Sequence, residues 1–322
     1  MPDPLLYMNA IGVAVIVSTL SVLAMARARK NSGPTWLSSS CVVGMSLGLA
    51  LGYYVLALHL AWPPMNGLDR FLTLVLPAAL VIELVAGFDR VSRPLAWLLR
   101  MSLAAATPRI LLHGSVYLSG DEWPLWQAVM TLAVCALLLA CLWGLLSWLS
   151  QRSPGVSIPF ALIQAILCAG LTVMMAGYIQ GGAAAFPLVA TLVATTIAAR
   201  LIRKHSTPRE DVDTPAIRED VTAPAILGIG VVSLFGLLFI GRFFGRLSTG
   251  SALTMLLAPL LCWAMEMPRL RSQKPWVVGA LRLTLVAIPL LVVLTLAKRD
   301  FDRDMLPLLG KVQTFLESRG DD

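Results

Sequence analysis

Apolar stretches that match the thickness of a membrane recur along the whole chain of 322 residues. A helix needs roughly 20 consecutive apolar residues to cross the hydrocarbon core of a bilayer, and we find about ten such stretches. They are continuous, whereas the strands of a membrane barrel alternate apolar and polar residues. Since backbone groups in lipid must pair within the spanning segment, the chain is predicted to form an all-α, polytopic integral membrane helix bundle. The predicted spans are 5–26, 36–61, 71–88, 95–118, 125–149, 158–180, 183–202, 224–246, 250–267 and 276–297.

The low content of charged residues excludes an ordinary soluble domain. Only 13% of the residues are Asp, Glu, Lys or Arg, whereas soluble domains carry about 25%. The formal net charge of +7 does not indicate a nucleic-acid partner, because no basic patch interleaved with aromatic residues lies outside the spans. The expected partner is the lipid bilayer, where basic residues collect in the cytoplasmic loops.

Lys and Arg residues are distributed unevenly between the two sets of loops, and this predicts the orientation. With the N-terminus outside, the outer loops carry only Arg70, Arg242 and Arg246 before the C-terminal tail. If the span 95–118 lay on the membrane surface instead, every later loop would change sides and the asymmetry would disappear. The positive-inside rule therefore favours about ten crossings, with both termini outside, and we expect a bacterial inner membrane.

Several ionisable residues lie inside the predicted spans. Such a residue costs roughly 2.5–3.5 kcal/mol on insertion scales, so it faces the bundle interior, where it is paired or has a function. Glu83 and Arg100 each lie about five residues from the inner ends of two antiparallel spans, which places them at one depth. Glu266 and Arg282 fall in the same inner layer. We interpret these as ion pairs that hold the bundle together, and a polar pathway through the layer is the alternative.

Arg109 lies past the middle of its span, where no carboxylate of any span is available. His113 follows one turn later on the same helical face. Two structural roles are open: the arginine extends outward to the membrane surface, or it donates hydrogen bonds to carbonyls of a neighbouring helix. The functional hypothesis is that Arg109 faces a water-filled cavity and binds an anionic group through its planar donor fork. The candidate substrate-binding residues are therefore Glu83, Arg100, Arg109 and His113.

The second span carries a strip of small residues that predicts close helix packing. Ser40, Gly44, Gly48 and Gly52 recur every fourth position, which leaves one helical face open to a neighbour. The same stretch contains the pattern GxSxG, but a nucleophile elbow needs a strand, a turn and a helix around it, and this serine is predicted to lie mid-helix. We therefore interpret the strip as a packing surface and predict no catalytic residue.

Residue types that hold metals or cofactors are sparse. The chain contains five cysteines, none in a CxxC pair, and three histidines that do not cluster with carboxylates in the sequence. Disulfides, metal sites and cofactors are therefore not expected.

Two polar segments interrupt the bundle. The loop 203–223 has mixed charge and low hydrophobicity, so we predict a flexible cytoplasmic linker, with a docking site for a cytoplasmic partner as the alternative. The tail 298–322 has apolar residues at helical spacing, with Asp304 as a candidate N-cap. It is too short to span and predicts a short amphipathic helix on the outer leaflet. Residues 1–297 then form the transmembrane bundle.

Three functions fit this pattern. The leading hypothesis is a permease-like protein that moves a small solute, anionic if Arg109 binds it, through a cavity near the candidate residues. The second is a non-catalytic membrane scaffold, assembly factor or partner subunit. The third is an intramembrane enzyme acting on a lipid-linked substrate. A polar cavity reaching Arg109 would favour transport, a closed bundle the scaffold, and a lateral opening beside paired polar groups the enzyme.

Overall fold

The computed structural model describes residues 4–28, 35–58, 62–88, 90–119, 123–153, 155–206, 224–266 and 275–319. Every regular element in these ranges is helical. The predicted linker 203–223 lies outside the described residues from position 207 onward.

The helices follow the predicted spans closely, with short helices added between some of them. The third helix is built from three consecutive segments, the second of which is a π-helical turn, and the eleventh ends in a 3₁₀ segment. The bounds are α1 Pro4–Ala28, α2 Thr35–Val55, α3 Gly67–Arg70 with Phe71–Val75 and Leu76–Ala86, α4 Arg93–Leu112, α5 Val116–Ser119, α6 Leu125–Arg152, α7 Ser157–Met175, α8 Ile179–Ala183, α9 Ala185–Ser206, α10 Pro224–Phe243, α11 Thr249–Leu257 with Ala258–Glu266, and α12 Pro275–Arg319.

Nine helical stretches of the described chain are long and apolar enough to cross a membrane. The predicted span 71–88 is not among them. Its helix, α3, is about 30 Å long, as a crossing helix must be, but it carries Asp69, Arg70 and Glu83. The first two lie at its beginning and the third lies near its end.

The connections between helices alternate between two ends of the bundle. At one end, the Arg246 amide donates a hydrogen bond to the Ala176 carbonyl, and Tyr117 stacks on Phe243. At the other end, Arg282 donates hydrogen bonds to Ser153 and Ser157. We name these the outer and the inner end, following the predicted orientation. Contacts between residues far apart in the sequence thus agree with antiparallel packing of successive helices.

Helix α10 is the centre of the bundle, and every residue from Ala225 to Gly241 is buried. It contacts α3, α6, α7 and α11. A helix that is apolar on all sides is stable in this position because its neighbours cover it completely. Its glycines permit close approach: a Cβ atom at Gly236 would overlap the ring of Phe71. The middle of the bundle is therefore filled by a helix.

The small-residue strip of α2 packs between α1 and α9. A Cβ atom at Gly44 would lie 3.0 Å from the Ser18 carbonyl oxygen, and one at Gly52 would lie 3.0 Å from Pro187 Cβ. Gly48 faces Ser18 and Thr191. Ser40 is buried, and its hydroxyl donates to the Trp36 carbonyl 2.8 Å away. The strip thus brings three helices into contact.

The structure differs from the predicted spans at three helix ends. Helix α2 ends at Val55 instead of residue 61, just before Ala57, which has a positive φ of 52°. Helix α4 ends at Leu112 instead of residue 118, because Gly114, with φ +67°, turns the chain. The predicted tail helix is continuous with the last span in α12, since no proline or glycine lies between Pro289 and Pro307.

Candidate functional site

Glu83 and Arg100 form a bidentate ion pair between α3 and α4. The arginine Nε donates to Glu83 Oε1 at 2.8 Å, and its Nη2 donates to Oε2 at 2.7 Å. The Glu83 side chain is 1% exposed and the Arg100 side chain is 10% exposed. Planar, parallel donor and acceptor groups of this kind give the strongest charge-assisted hydrogen bonds in proteins. The hairpin of α3 and α4 brings the two residues to one depth, as the spacing of the spans predicts.

The surroundings of this pair are closed. The Arg100 guanidinium lies 5.4 Å from the ring centre of Trp97 and 6.0 Å from that of Trp143. Gly228 of the central helix faces the carboxylate so closely that a Cβ atom there would overlap Glu83 Oε1. The cation and the anion therefore neutralise each other inside a packed layer of aromatic rings and backbone.

Glu266 and Arg282 form the second pair, at the inner end of α11 and α12. Arg282 Nη2 lies 2.5 Å from Glu266 Oε1 and also donates to Ser153 Oγ at 2.7 Å. Its Nη1 donates to Ser157 Oγ at 3.1 Å. Within the described residues no hydrogen bond links this cluster to the first pair. The described part of the inner layer therefore contains two separate ion pairs, and no hydrogen bond joins them there.

Arg109 and His113 are not brought together with Glu83 and Arg100. Both are exposed, and neither side chain forms a hydrogen bond or ion pair with any described residue. Arg109 follows Arg100 by about two and a half helical turns and lies roughly 13 Å further along α4, so the two side chains leave the helix on opposite faces. Since Arg100 faces the interior, Arg109 faces outward. The four candidate residues do not form one site.

Two buried charged residues at the outer end were not singled out by the sequence. Asp69 and Arg70 are both buried at the beginning of α3. Asn66 caps this helix, its Oδ1 accepting the Asp69 amide at 2.8 Å, and Arg70 Nη2 donates to the Met65 carbonyl at 3.3 Å. The sequence signal was the Asn-x-x-Asp pattern at a helix start, where a carboxylate stabilises the first turn.

A groove of about 430 Å³ lies between α6, α10 and α11, and its volume falls in the range of small-molecule sites. It opens on the flank of the bundle, because Met130 and Val134 on its rim are 58% and 50% exposed. We name it the lateral groove. It is lined by Trp123, Met130, Thr131, Val134, Cys135, Leu138, Phe235, Leu238, Phe239, Arg242, Phe243, Thr249, Ala252, Leu253 and Leu256.

Aromatic rings form the inner wall of the lateral groove. Phe235, Phe239 and Phe243 recur every fourth residue of α10, and their ring centres are 5.6 Å and 4.5 Å apart in turn. At the outer end, Trp123 lies 5.9 Å from Phe243 and 4.7 Å from Tyr117. Rings in such tilted arrangements add to the burial energy of each side chain. The wall is thus rigid, continuous and apolar.

Among the described residues that line the groove, Arg242 is the single charged one. It lies in the last turn of α10, and its Nε donates to Thr249 Oγ1 at 2.7 Å. No described residue accepts a hydrogen bond from its terminal amino groups. One cation therefore stands at the outer end of an otherwise apolar groove.

Two other cavities lie away from the lateral groove. One of about 360 Å³ is lined by α2 and α3 residues, including Ser46, Tyr53 and Pro77. The other, of about 200 Å³ at the outer end, is lined by residues that include Arg246 and Asp300. None of the three cavities is lined by Arg109 or Glu83.

Comparison with known proteins gives no relative: no family model, no curated protein and no solved structure matches this chain. Function must therefore be argued from the geometry of the site alone.

Proposed function

We propose that this chain is an integral membrane protein that crosses the bilayer ten times and binds the hydrocarbon chain of a lipid-like molecule in the lateral groove. The observation that carries this proposal is the apolar groove itself, which opens on the flank of the bundle. A flank of a membrane protein faces lipid, so a hydrocarbon chain can enter such a groove without crossing water.

The crossing number rests on α3. The nine apolar helices and α3 together make ten, with alternating connections. Gly67 at the beginning of α3 packs against Phe244 at the outer end, and Gly87 just after it approaches Ser39 at the inner start of α2. Its charges are accommodated because Glu83 is paired and Asp69 and Arg70 lie in the first turn. A helix that runs alongside its neighbours over this length belongs to the membrane layer.

The geometry supports chain binding better than solute transport. A polar cavity reaching Arg109 would favour transport, whereas that arginine is exposed on the outside of α4. The central helix fills the middle of the bundle, and Glu83 and Glu266 are each paired with an arginine. In the part of the lining that the structure describes there is no carboxylate and no histidine, the side chains that most often transfer protons in catalysis.

A photo-crosslinking experiment tests this proposal. A phospholipid with a diazirine halfway along one acyl chain is reconstituted with the protein, irradiated, and the labelled residues are mapped by mass spectrometry. Val134 lines the groove, whereas Leu137 is exposed on α6 outside it. We expect Val134 to be labelled more strongly than Leu137.

Ala252→Phe, which fills the groove, should abolish this preference. Ala105→Phe, at an exposed position of α4, is the matched control and should leave it intact. Equal labelling of Val134 and Leu137 in the unaltered protein would show that the groove has no special affinity for a lipid chain, and the proposal would then be wrong.

A further inference from the structure

The outer end of the lateral groove has the features of a binding site for a negatively charged head group. This inference rests on the proposed function. Trp123 and Tyr117 lie beside Phe243 there, and Trp and Tyr rings concentrate where hydrocarbon meets head groups. Arg242, in the same turn as Phe243, therefore stands at the depth of a lipid head group when the chain lies in the groove.

The guanidinium of Arg242 is oriented and still has free donors. The hydrogen bond from its Nε to Thr249 Oγ1 fixes the plane of the group. Both terminal amino groups remain without an acceptor among the described residues, and no described carboxylate forms an ion pair with this arginine. A planar fork with two free donors matches two oxygens of a phosphate group.

The start of α11 adds a second favourable contribution at the same place. Thr249 is the first residue of this helix, and Ser248 caps it by accepting the Ser251 amide at 3.1 Å. The beginning of a helix carries a partial positive charge, which favours an anion nearby. The hydroxyl that orients Arg242 thus belongs to the helix terminus that reinforces its charge.

We propose that the lateral groove selects a lipid with an anionic phosphate head group, held by Arg242 and Thr249, with its chain against Phe235 and Phe239. A lipid is the source of the phosphate, because the other lining residues that the structure describes are apolar or carry an uncharged hydroxyl, thiol or indole group. Among the described residues, a free phosphate ion would find one cation and only the partial charge at the start of α11 to replace its hydration. The hydrocarbon chain supplies the remaining binding energy by occupying the groove.

Arg246 provides a matched control. It lies one helical turn beyond Arg242 in the sequence, is also exposed, and is also at the outer end. Its cavity, however, is shared with Asp300 and Asp304. Carboxylates beside an arginine offset its attraction for an anion. We therefore expect Arg246 to contribute nothing to head-group selection.

The test is a competition between phosphatidylglycerol and phosphatidylcholine of identical chains, read by native mass spectrometry of the detergent-solubilised protein. The unaltered protein should retain more phosphatidylglycerol than phosphatidylcholine. Arg242→Gln should lower this preference by about tenfold, the effect of losing a hydrogen bond to a charged group. Arg242→Lys keeps the charge and loses the planar pair of donors. Its preference for phosphatidylglycerol should lie between those of the unaltered protein and of Arg242→Gln. Arg246→Gln should leave the preference unchanged.

Three outcomes would overturn the inference. Equal retention of the two lipids by the unaltered protein would exclude head-group selection, and an unchanged preference in Arg242→Gln would place the selecting group elsewhere. Displacement of the lipid by millimolar inorganic phosphate would show that the site binds the free ion. In each case the crosslinking at Val134 is measured as well. This crosslinking reports binding of the hydrocarbon chain, on which the proposed function depends, independently of head-group selection.

Discussion

Removal of Arg100 is expected to destabilise the bundle strongly, because it leaves Glu83 without its partner. The carboxylate is 1% exposed and loses two hydrogen bonds, of 2.8 Å and 2.7 Å. Gly228 and Trp143 close the space around it, so water cannot take the place of the guanidinium. Breaking a buried ion pair in this way costs about 3–5 kcal/mol. Arg100→Met should lower the free energy of unfolding by that amount.

The double variant Glu83→Met with Arg100→Met separates the ion pair from the packing. Apolar side chains of similar length fill the same volume, and replacing both partners of a buried pair is often neutral or stabilising. We therefore expect the double variant to recover most of the stability lost by Arg100→Met. The free energy of unfolding is measured by reversible denaturation in mixed micelles. The unaltered protein, the single variants Glu83→Met and Arg100→Met, and the double variant form a double-mutant cycle.

Arg152→Met is the control for loss of an arginine. Its guanidinium lies over Trp148 at 4.0 Å on the exposed inner end of α6, and we expect its replacement to change stability little. If Arg100→Met were as mild as Arg152→Met, Glu83 would not depend on its partner. The interpretation of the pair as the structural link between α3 and α4 would then be refuted.

Three further predictions concern other positions. Gly48→Ala should destabilise the folded protein by about 1–3 kcal/mol, because the new Cβ would lie 2.8 Å from Thr191 Cγ2. Gly144→Ala, where nothing lies within 4 Å of the new Cβ, should leave the stability unchanged. Thermal unfolding in detergent compares the two variants. Arg282→Met should lower thermal stability more than Ser157→Ala, since it strands Glu266 as well as removing hydrogen bonds; equal effects would contradict this. Arg109→Ala should leave folding and lipid crosslinking intact, and loss of either would show a role that its exposed position does not reveal.

Much of the fold could be predicted because hydrocarbon thickness limits each helix. The number of residues between each side chain and the turn of the α3–α4 hairpin predicts that Glu83 and Arg100 lie at the same depth. In the structure the two side chains form an ion pair. The helical face on which Arg109 lies can also be read from the sequence. Arg109 follows Arg100 by about two and a half helical turns, which places the two side chains on opposite faces of α4. The helical period therefore argues against one cavity lined by both arginines. The end of α4 at Leu112, two residues before the turn at Gly114, depends on the local backbone conformation, which the apolar pattern does not predict.

The lateral groove could not be predicted from the chain alone. Its wall comes from Met130 of α6 and from Phe239 and Leu253 of the consecutive helices α10 and α11, and nothing local specifies that α6 packs against the other two. Arg242 was recognised as an outer-end residue, but a lone arginine after an apolar span ordinarily signals orientation only. Its hydrogen bond to Thr249 appears only when α10 and α11 are packed together.

The membrane topology of α3 and α4 is the central claim, and cysteine accessibility tests it most directly. In a variant lacking the five native cysteines, single cysteines replace Ser92, Ser115 or Ser248, and intact cells are treated with a membrane-impermeant maleimide. Ten crossings with an outer N-terminus predict labelling at 115 and 248 before lysis, and at 92 only after lysis. Labelling of 92 and 115 from the same side would contradict the account, since α4 would then not cross the membrane.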